Sequence, residues 1–71
     1  MSTEVRAEMA ATVWKVLVRA GETVAPDAEL LVLESMKMEI PVLAEMGGTV
    51  SSVAVHEGRV VREGDVLIVL D

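Results

Sequence analysis

Cysteine, tyrosine and phenylalanine are absent from these 71 residues, and Trp14 is the only aromatic side chain. Without cysteine there is no disulfide, no thiolate ligand and no thiol nucleophile. No basic-then-apolar leader is visible, and no apolar run exceeds the five residues 66–70. Nothing therefore signals export or membrane insertion, and the cytoplasm is the expected compartment. Basic side chains are scarce as well, six against twelve acidic, for a formal charge of -6. That balance repels a phosphate backbone, and one tryptophan offers little for base stacking, so nucleic acid is not an expected partner. The lone His56 has no companion histidine or cysteine to share a metal, and reads as a surface residue. Ser51-Ser52 has no base and acid near it in sequence, which leaves nucleophilic catalysis without support. A chain this short makes one small domain, expected to span residues 1–71, with a core that barely outweighs chain entropy and no room for a large catalytic cleft. It is not expected to be an enzyme acting alone.

What the chain does contain is a duplication. A shift of 37 positions lays residues 5–34 on residues 42–71 without a gap, and 13 of the 30 places are identical. The identities include Val5/Val42, Glu8/Glu45, Met9/Met46, Val13/Val50, Val16/Val53, Gly21/Gly58 and Leu30/Leu67. Two copies are too few for a solenoid, which needs about three repeats, so the halves are expected to pack about a pseudo-twofold axis. The joining segment is Glu34-Ser35-Met36-Lys37-Met38-Glu39-Ile40. Under the same offset Glu34 answers to Asp71 and Lys37 to a point just before Met1, which places the chain ends together, opposite a tip at Lys37.

Valine fills 14 positions, no long stretch has a 3.6-residue period, and glycine interrupts short apolar runs. Together these read as strands, and an all-β domain is expected. Val16 and Val18 share a face, as do Val53 and Val55, whereas Val13 and Val50 fall on the opposite parity, which predicts a bulge in both halves. Gly21 and Gly58 mark matching turns before short segments at Val24 and Val61. Leu30–Leu33 and Val66–Leu70 are the expected core strands. Met9 and Met46 are expected to fill gaps in that core. Trp14 answers to Ser51, so the fold does not require a buried aromatic there, and a partly exposed Trp14 is a candidate contact patch.

A two-residue turn at Met36-Lys37 sets Ser35 against Met38, Glu34 against Glu39, Leu33 against Ile40 and Leu31 against Val42. Apolar residues then stack on one face. The other face receives Glu34 beside Glu39, a like-charge pair that costs roughly 0.2–1 kcal/mol. Such turns favour Asn-Gly because both central residues need positive φ, and a non-glycine residue held there costs about 1–3 kcal/mol. Local rules fail at this point, with two methionines exposed beside the lysine, and such failures mark functional sites.

The run Glu34-Ser35-Met36-Lys37-Met38 resembles the biotinyl-lysine motif of biotinyl domains, in which alanine usually stands at the position of Ser35. The lysine's distance of 34 residues from Asp71, the two related halves and the pattern Gly58-x-x-Val61-x-x-Gly64-Asp65-x-Leu67 are similar to the biotin/lipoyl attachment fold over the whole chain. The resemblance implies a flattened β-barrel, a barrel-sandwich hybrid of two four-stranded antiparallel sheets with pseudo-twofold symmetry, working as a monomeric domain. It implies biotin as the cofactor, joined to Lys37 by a biotin protein ligase, with Met36 and Met38 as ligase recognition elements and Glu34 favouring biotin over lipoate. It implies carboxyl transfer between a biotin carboxylase, which consumes ATP and bicarbonate, and a carboxyltransferase, with no catalytic residue and no metal in this chain. A free lysine amine is protonated at neutral pH, so the ligase has to supply the activated acyl donor. The family tends to have proline and glycine near Glu8, Ala11 and Glu45, which leaves the backbone there open, and the extra thumb of some carriers is missing. A lipoyl carrier and an unmodified adaptor acting through the hairpin tip are the two other readings; the flanking methionines argue against the first.

Overall fold

The structure, a computed structural model, describes residues 2–71. Its valine-rich segments form eight strands: β1 (Thr3–Arg6), β2 (Ala11–Val16), β3 (Thr23–Val24), β4 (Glu29–Ser35), β5 (Met38–Leu43), β6 (Gly48–Val53), β7 (Val60–Val61) and β8 (Val66–Leu70). They make two four-stranded sheets of order β1-β8-β6-β3 and β5-β4-β2-β7, with every pairing antiparallel. Adding 37 to each residue number carries β1 to β5, β2 to β6, β3 to β7 and β4 to β8, so the same operation turns one sheet order into the other. The repeat in the sequence is thus a twofold relation in space; the all-β domain expected from the strand pattern and the two four-stranded sheets implied by the family resemblance are the architecture found.

The bulges are duplicated too. Pairing slips between Val13 and Lys15 on β2 and between Val50 and Ser52 on β6, the equivalent place. In both halves the valine just before the slip is buried, at 1% exposure. The extra residue lets each strand turn its valine inward and still meet the next sheet-mate in register. Inside the sandwich Leu30, Leu31 and Leu33 of β4 pack with their counterparts Leu67, Ile68 and Leu70 of β8. Burying each of these side chains stabilises the fold by about 1.5–3 kcal/mol.

Backbone bonds lock the halves to each other. The Gly21 N–H donates to the Val50 carbonyl at 2.7 Å and the Val50 N–H to the Glu22 carbonyl at 2.8 Å. The counterpart pair is Gly58 to Val13 and Val13 to Arg59, both at 2.8 Å. Reaching the opposite strand in this way requires φ of 96° at Gly21 and 94° at Gly58, a backbone open to glycine at little cost. The chain ends meet as expected: Thr3 pairs with Leu70, and the Ser2 hydroxyl donates to the Asp71 carboxylate at 2.9 Å.

Two expectations change. Met9 and Met46 do not fill the core; they are 38% and 72% exposed. Each lies in a bend, Glu8–Met9 or Glu45–Met46, that turns outward before β2 or β6 begins, and Ala7 and Ala44 already close the core just ahead of them. The backbone around Glu8, Ala11 and Glu45 is also settled. The two glutamates sit in those bends, and Ala11 opens β2, buried and paired with Val61.

Where the halves differ, sterics explain one difference. Gly48, the counterpart of Ala11, would place a Cβ 2.5 Å from the Asp71 carbonyl oxygen. That oxygen accepts from the Thr49 N–H at 3.0 Å and cannot retreat freely. Gly48→Ala is expected to cost about 1–3 kcal/mol in urea unfolding, the usual range for overpacking; an unchanged midpoint contradicts the assigned contact.

Candidate functional site

The joining segment is a hairpin. Leu31 pairs with Val42, Val32 with Pro41, Leu33 with Ile40, Glu34 with Glu39 and Ser35 with Met38, leaving Met36 and Lys37 as the turn. Their φ values are 53° and 65°, so both turn residues occupy the left-handed region without glycine's freedom. The register and the strain are those the residue pattern predicts.

Exposure at the tip runs against side-chain preference. Met36 is 91% exposed and Met38 66%, two thioethers held in water on either side of an exposed Lys37. Lys37 joins no ion pair among the described residues, where the one such pair links Arg6 and Glu4. Glu34 and Glu39 stand opposite each other on the outward face of the hairpin, both exposed, with no cation paired to either among the described residues. All four residues singled out from the sequence, Glu34, Met36, Lys37 and Met38, are therefore brought together within one turn and its flanking pairs.

A groove of about 620 Å³ opens elsewhere, between β1 and β5, with Met9 and Met46 among its lining residues, and neither Lys37 nor its flanking methionines border it. Nothing encloses the Lys37 amine. What the tip offers is one primary amine on a rigid support, with free space for a macromolecule to approach and for a substituent to extend. The residues present fit a group held through a single amide bond.

A family model described as "Biotin-requiring enzyme" matches residues 1–70. The chain belongs to this biotin/lipoyl family. It is 49% identical over 63 residues to the biotin/lipoyl attachment protein of Bacillus subtilis, covering 89% of this chain and 86% of the relative. It is 47% identical over 70 residues to the biotinylated protein TB7.3 homolog of Mycobacterium leprae, covering 99% of both. Among solved structures, the Kluyveromyces lactis urea carboxylase contains a region that superposes on 100% of this chain with a TM-score of 0.93 and 25% identity, amounting to 6% of that protein.

The remaining candidates fall away from the tip. His56 is exposed, its ring Nδ1 3.1 Å from the Glu57 carbonyl. Trp14 is 43% exposed, with the Lys15 ammonium 5.5 Å from its ring centroid. Sequence reasoning noticed Trp14 but not Pro41 of the same sheet, although setting Pro41 against its counterpart Glu4 was signal enough to find it.

The strain at the turn is measurable. Replacing Met36-Lys37 by Asn-Gly, the preferred chemistry for two positive φ values, is expected to raise stability by about 1–3 kcal/mol in urea unfolding. The same variant has no amine to modify. A loss of stability would show that Met36 and Lys37 hold the turn rather than strain it.

Proposed function

We propose that this chain is a biotin carrier, that Lys37 Nζ is the attachment atom, and that the domain of residues 1–71 serves the biotin carboxylase and carboxyltransferase components of a biotin-dependent carboxylase. The observation that carries this reading is the hairpin turn itself: two non-glycine residues held at positive φ, presenting an unpaired lysine. Strain of this kind persists where the flanking structure enforces it and the site uses it. The likeness to a biotinylated protein along nearly the full length of both chains supports the choice of group.

The division of labour follows from the chemistry. A biotin protein ligase supplies biotin as its acyl-adenylate, the deprotonated Nζ attacks the acyl carbon, the acyl–phosphate bond breaks with AMP as the leaving group, and the amide that forms removes the positive charge of Lys37. Met36 and Met38 offer the ligase two apolar contacts in water, and Glu34 one charge, without any rearrangement of this chain. Biotin, when bound, supplies a ring able to take up and release a carboxyl group. The chain's own part is to hold, present and let swing. The lysine side chain with the valeryl arm has about ten single bonds of roughly 1.5 Å, a reach on the order of 14 Å. Tethering then replaces free diffusion by a local concentration that reaches the millimolar range for short flexible connections. Charging consumes ATP, so the cytoplasm is the compartment this reading assigns.

Intact mass measures the central claim. Co-expression with a biotin ligase is expected to add one biotin, and Lys37→Arg none. Met36→Ala and Met38→Ala are expected to fold normally and to be biotinylated more slowly, on the order of tenfold, equivalent to about 1.4 kcal/mol at the transition state. No gain in mass under saturating ligase and biotin refutes the proposal. Preferential acylation by a lipoyl ligase would make the chain a lipoyl carrier, and partner binding by unmodified protein that ignores Lys37 would make it an adaptor.

A further inference from the structure

The duplication supplies an internal control for function. Away from the chain ends, whose contact makes Gly48 unlike Ala11, equivalent strand positions meet equivalent backbone surroundings, so unequal residues at equivalent exposed strand positions are candidates for a role besides folding. One band shows the inequality on both sides of a shared central valine, Val32 in one sheet and Val69 in the other. On the outward side of the β5-β4-β2-β7 sheet, Lys15 pairs with Val32 and Val32 with Pro41, and Trp14 occupies the bulge beside Lys15. The equivalent band on the other sheet is Ser52 paired with Val69 and Val69 with Glu4, with Ser51 in the bulge. There the Ser51 hydroxyl donates to the Val69 carbonyl at 3.3 Å, an ordinary polar edge facing water.

The fold therefore accepts serine, serine and glutamate where this sheet carries tryptophan, lysine and proline. The asymmetry continues sideways: Val60, 68% exposed, pairs with Thr12 and answers to Thr23, and Leu17, 48% exposed, answers to Ala54. Tipward of the band lie Glu34 and Glu39, side by side on the same outward face. The face thus has an apolar centre with one cation, Lys15, folded over Trp14, and an acidic border next to the attachment site.

Resting on the carrier reading, we propose that this face is the footing on which the biotin carboxylase component docks, with Trp14, Val32 and Pro41 covered by apolar side chains and Glu34 and Glu39 met by arginine or lysine. A subunit that binds ATP and bicarbonate surrounds its entrance with positive potential, the complement of two unpaired carboxylates. A second copy of this chain fits worse. It carries the same charge of -6, and a face-to-face stack sets Glu34 and Glu39 against either themselves or the exposed Glu29 at the other end of β4. The distance is also suitable. Val32 lies five residues from Lys37, about 16 Å along an extended chain, close to the reach of the arm. In a molecule 32 × 17 × 17 Å such a face buries on the order of 500 Å², the size of a transient encounter, as a shuttle requires.

The test removes the apolar side chains of the band at constant charge: Trp14→Ser and Pro41→Ser together. The probe is the isolated biotin carboxylase subunit of an acyl-CoA carboxylase, titrated into the ¹⁵N-labelled, unmodified domain. Amide and indole signals of Thr12, Trp14, Val32 and Glu34 are expected to shift, and the double variant to bind roughly tenfold more weakly or worse. With biotinylated protein, the variant is expected to raise KM for the domain in bicarbonate-dependent ATP hydrolysis and leave kcat in place. Its urea midpoint and its rate of biotinylation by the ligase are expected to match those of the parent. Shifts confined to residues 35–38 with equal affinity for both proteins overturn the proposal, as does a concentration-dependent dimer formed through this face. Failure of the carrier reading itself is seen earlier and separately, as absence of any biotin in the intact mass of the parent chain.

Discussion

The pairing of β4 with β5 is the constraint on which the attachment tip depends. β4 is a central strand, bonded to β2 on one side and β5 on the other, and its Leu31 and Leu33 are at most 2% exposed. It has no freedom to shift. If β5 slid by one residue to relax the turn, Ile40 and Val42 would leave the core side and Glu39 would enter it. An unpartnered carboxylate in an apolar interior costs several kcal/mol and the loss of Ile40 and Val42 from the core side about 1.5–3 kcal/mol each at full burial, against roughly 1–3 kcal/mol for each of the two turn residues at positive φ. The strained turn is therefore the cheaper of two errors, and the lysine stays where the ladder puts it.

Duplication gives the sandwich economy as well as symmetry. Each half contributes two strands to its own sheet and two to the other, so neither half buries its apolar face alone. The crossing bonds from Gly21 and Gly58 occur at equivalent places with nearly equal lengths, which explains why both glycines match in the repeat. Identity between halves thus concentrates where the core and the crossing turns demand it. Difference is greatest in the turns, where residues 19–29 match 56–66 only at Gly21 and Val24, and recurs on the outward face at Trp14, Lys15 and Leu17.

Much of this was legible from residue order alone, for a physical reason in each instance. The hairpin register could be read because pairing apolar with apolar leaves one alignment, and the bulges because Val13 and Val50 break parity at equivalent positions. The tip could be read because its residues suit neither turn nor solvent. Met9 and Met46 could not. The repeat says correctly that they are equivalent, but equivalence does not reveal the side of the chain they occupy, and parity is lost through the bends that carry them. The groove between β1 and β5 was equally invisible, since it arises from two sheet edges brought near each other by the twofold rather than from any local run. The outward band was hidden for a different reason. Pro41 is unremarkable alone, and gains meaning only beside its counterpart Glu4.

The meeting of Ser2, Thr3, Leu70 and Asp71 at the pole away from Lys37 has a mechanical consequence. A neighbouring polypeptide joined at that pole holds the sandwich by its base, so the body becomes the rigid segment of a two-part lever with the prosthetic arm as the second. The swept radius then grows by the body's own dimension, up to 32 Å, about twice the roughly 14 Å reach of the arm. Tension that draws the two chain ends apart loads the β1–β8 pairing first, at Thr3 and Leu70.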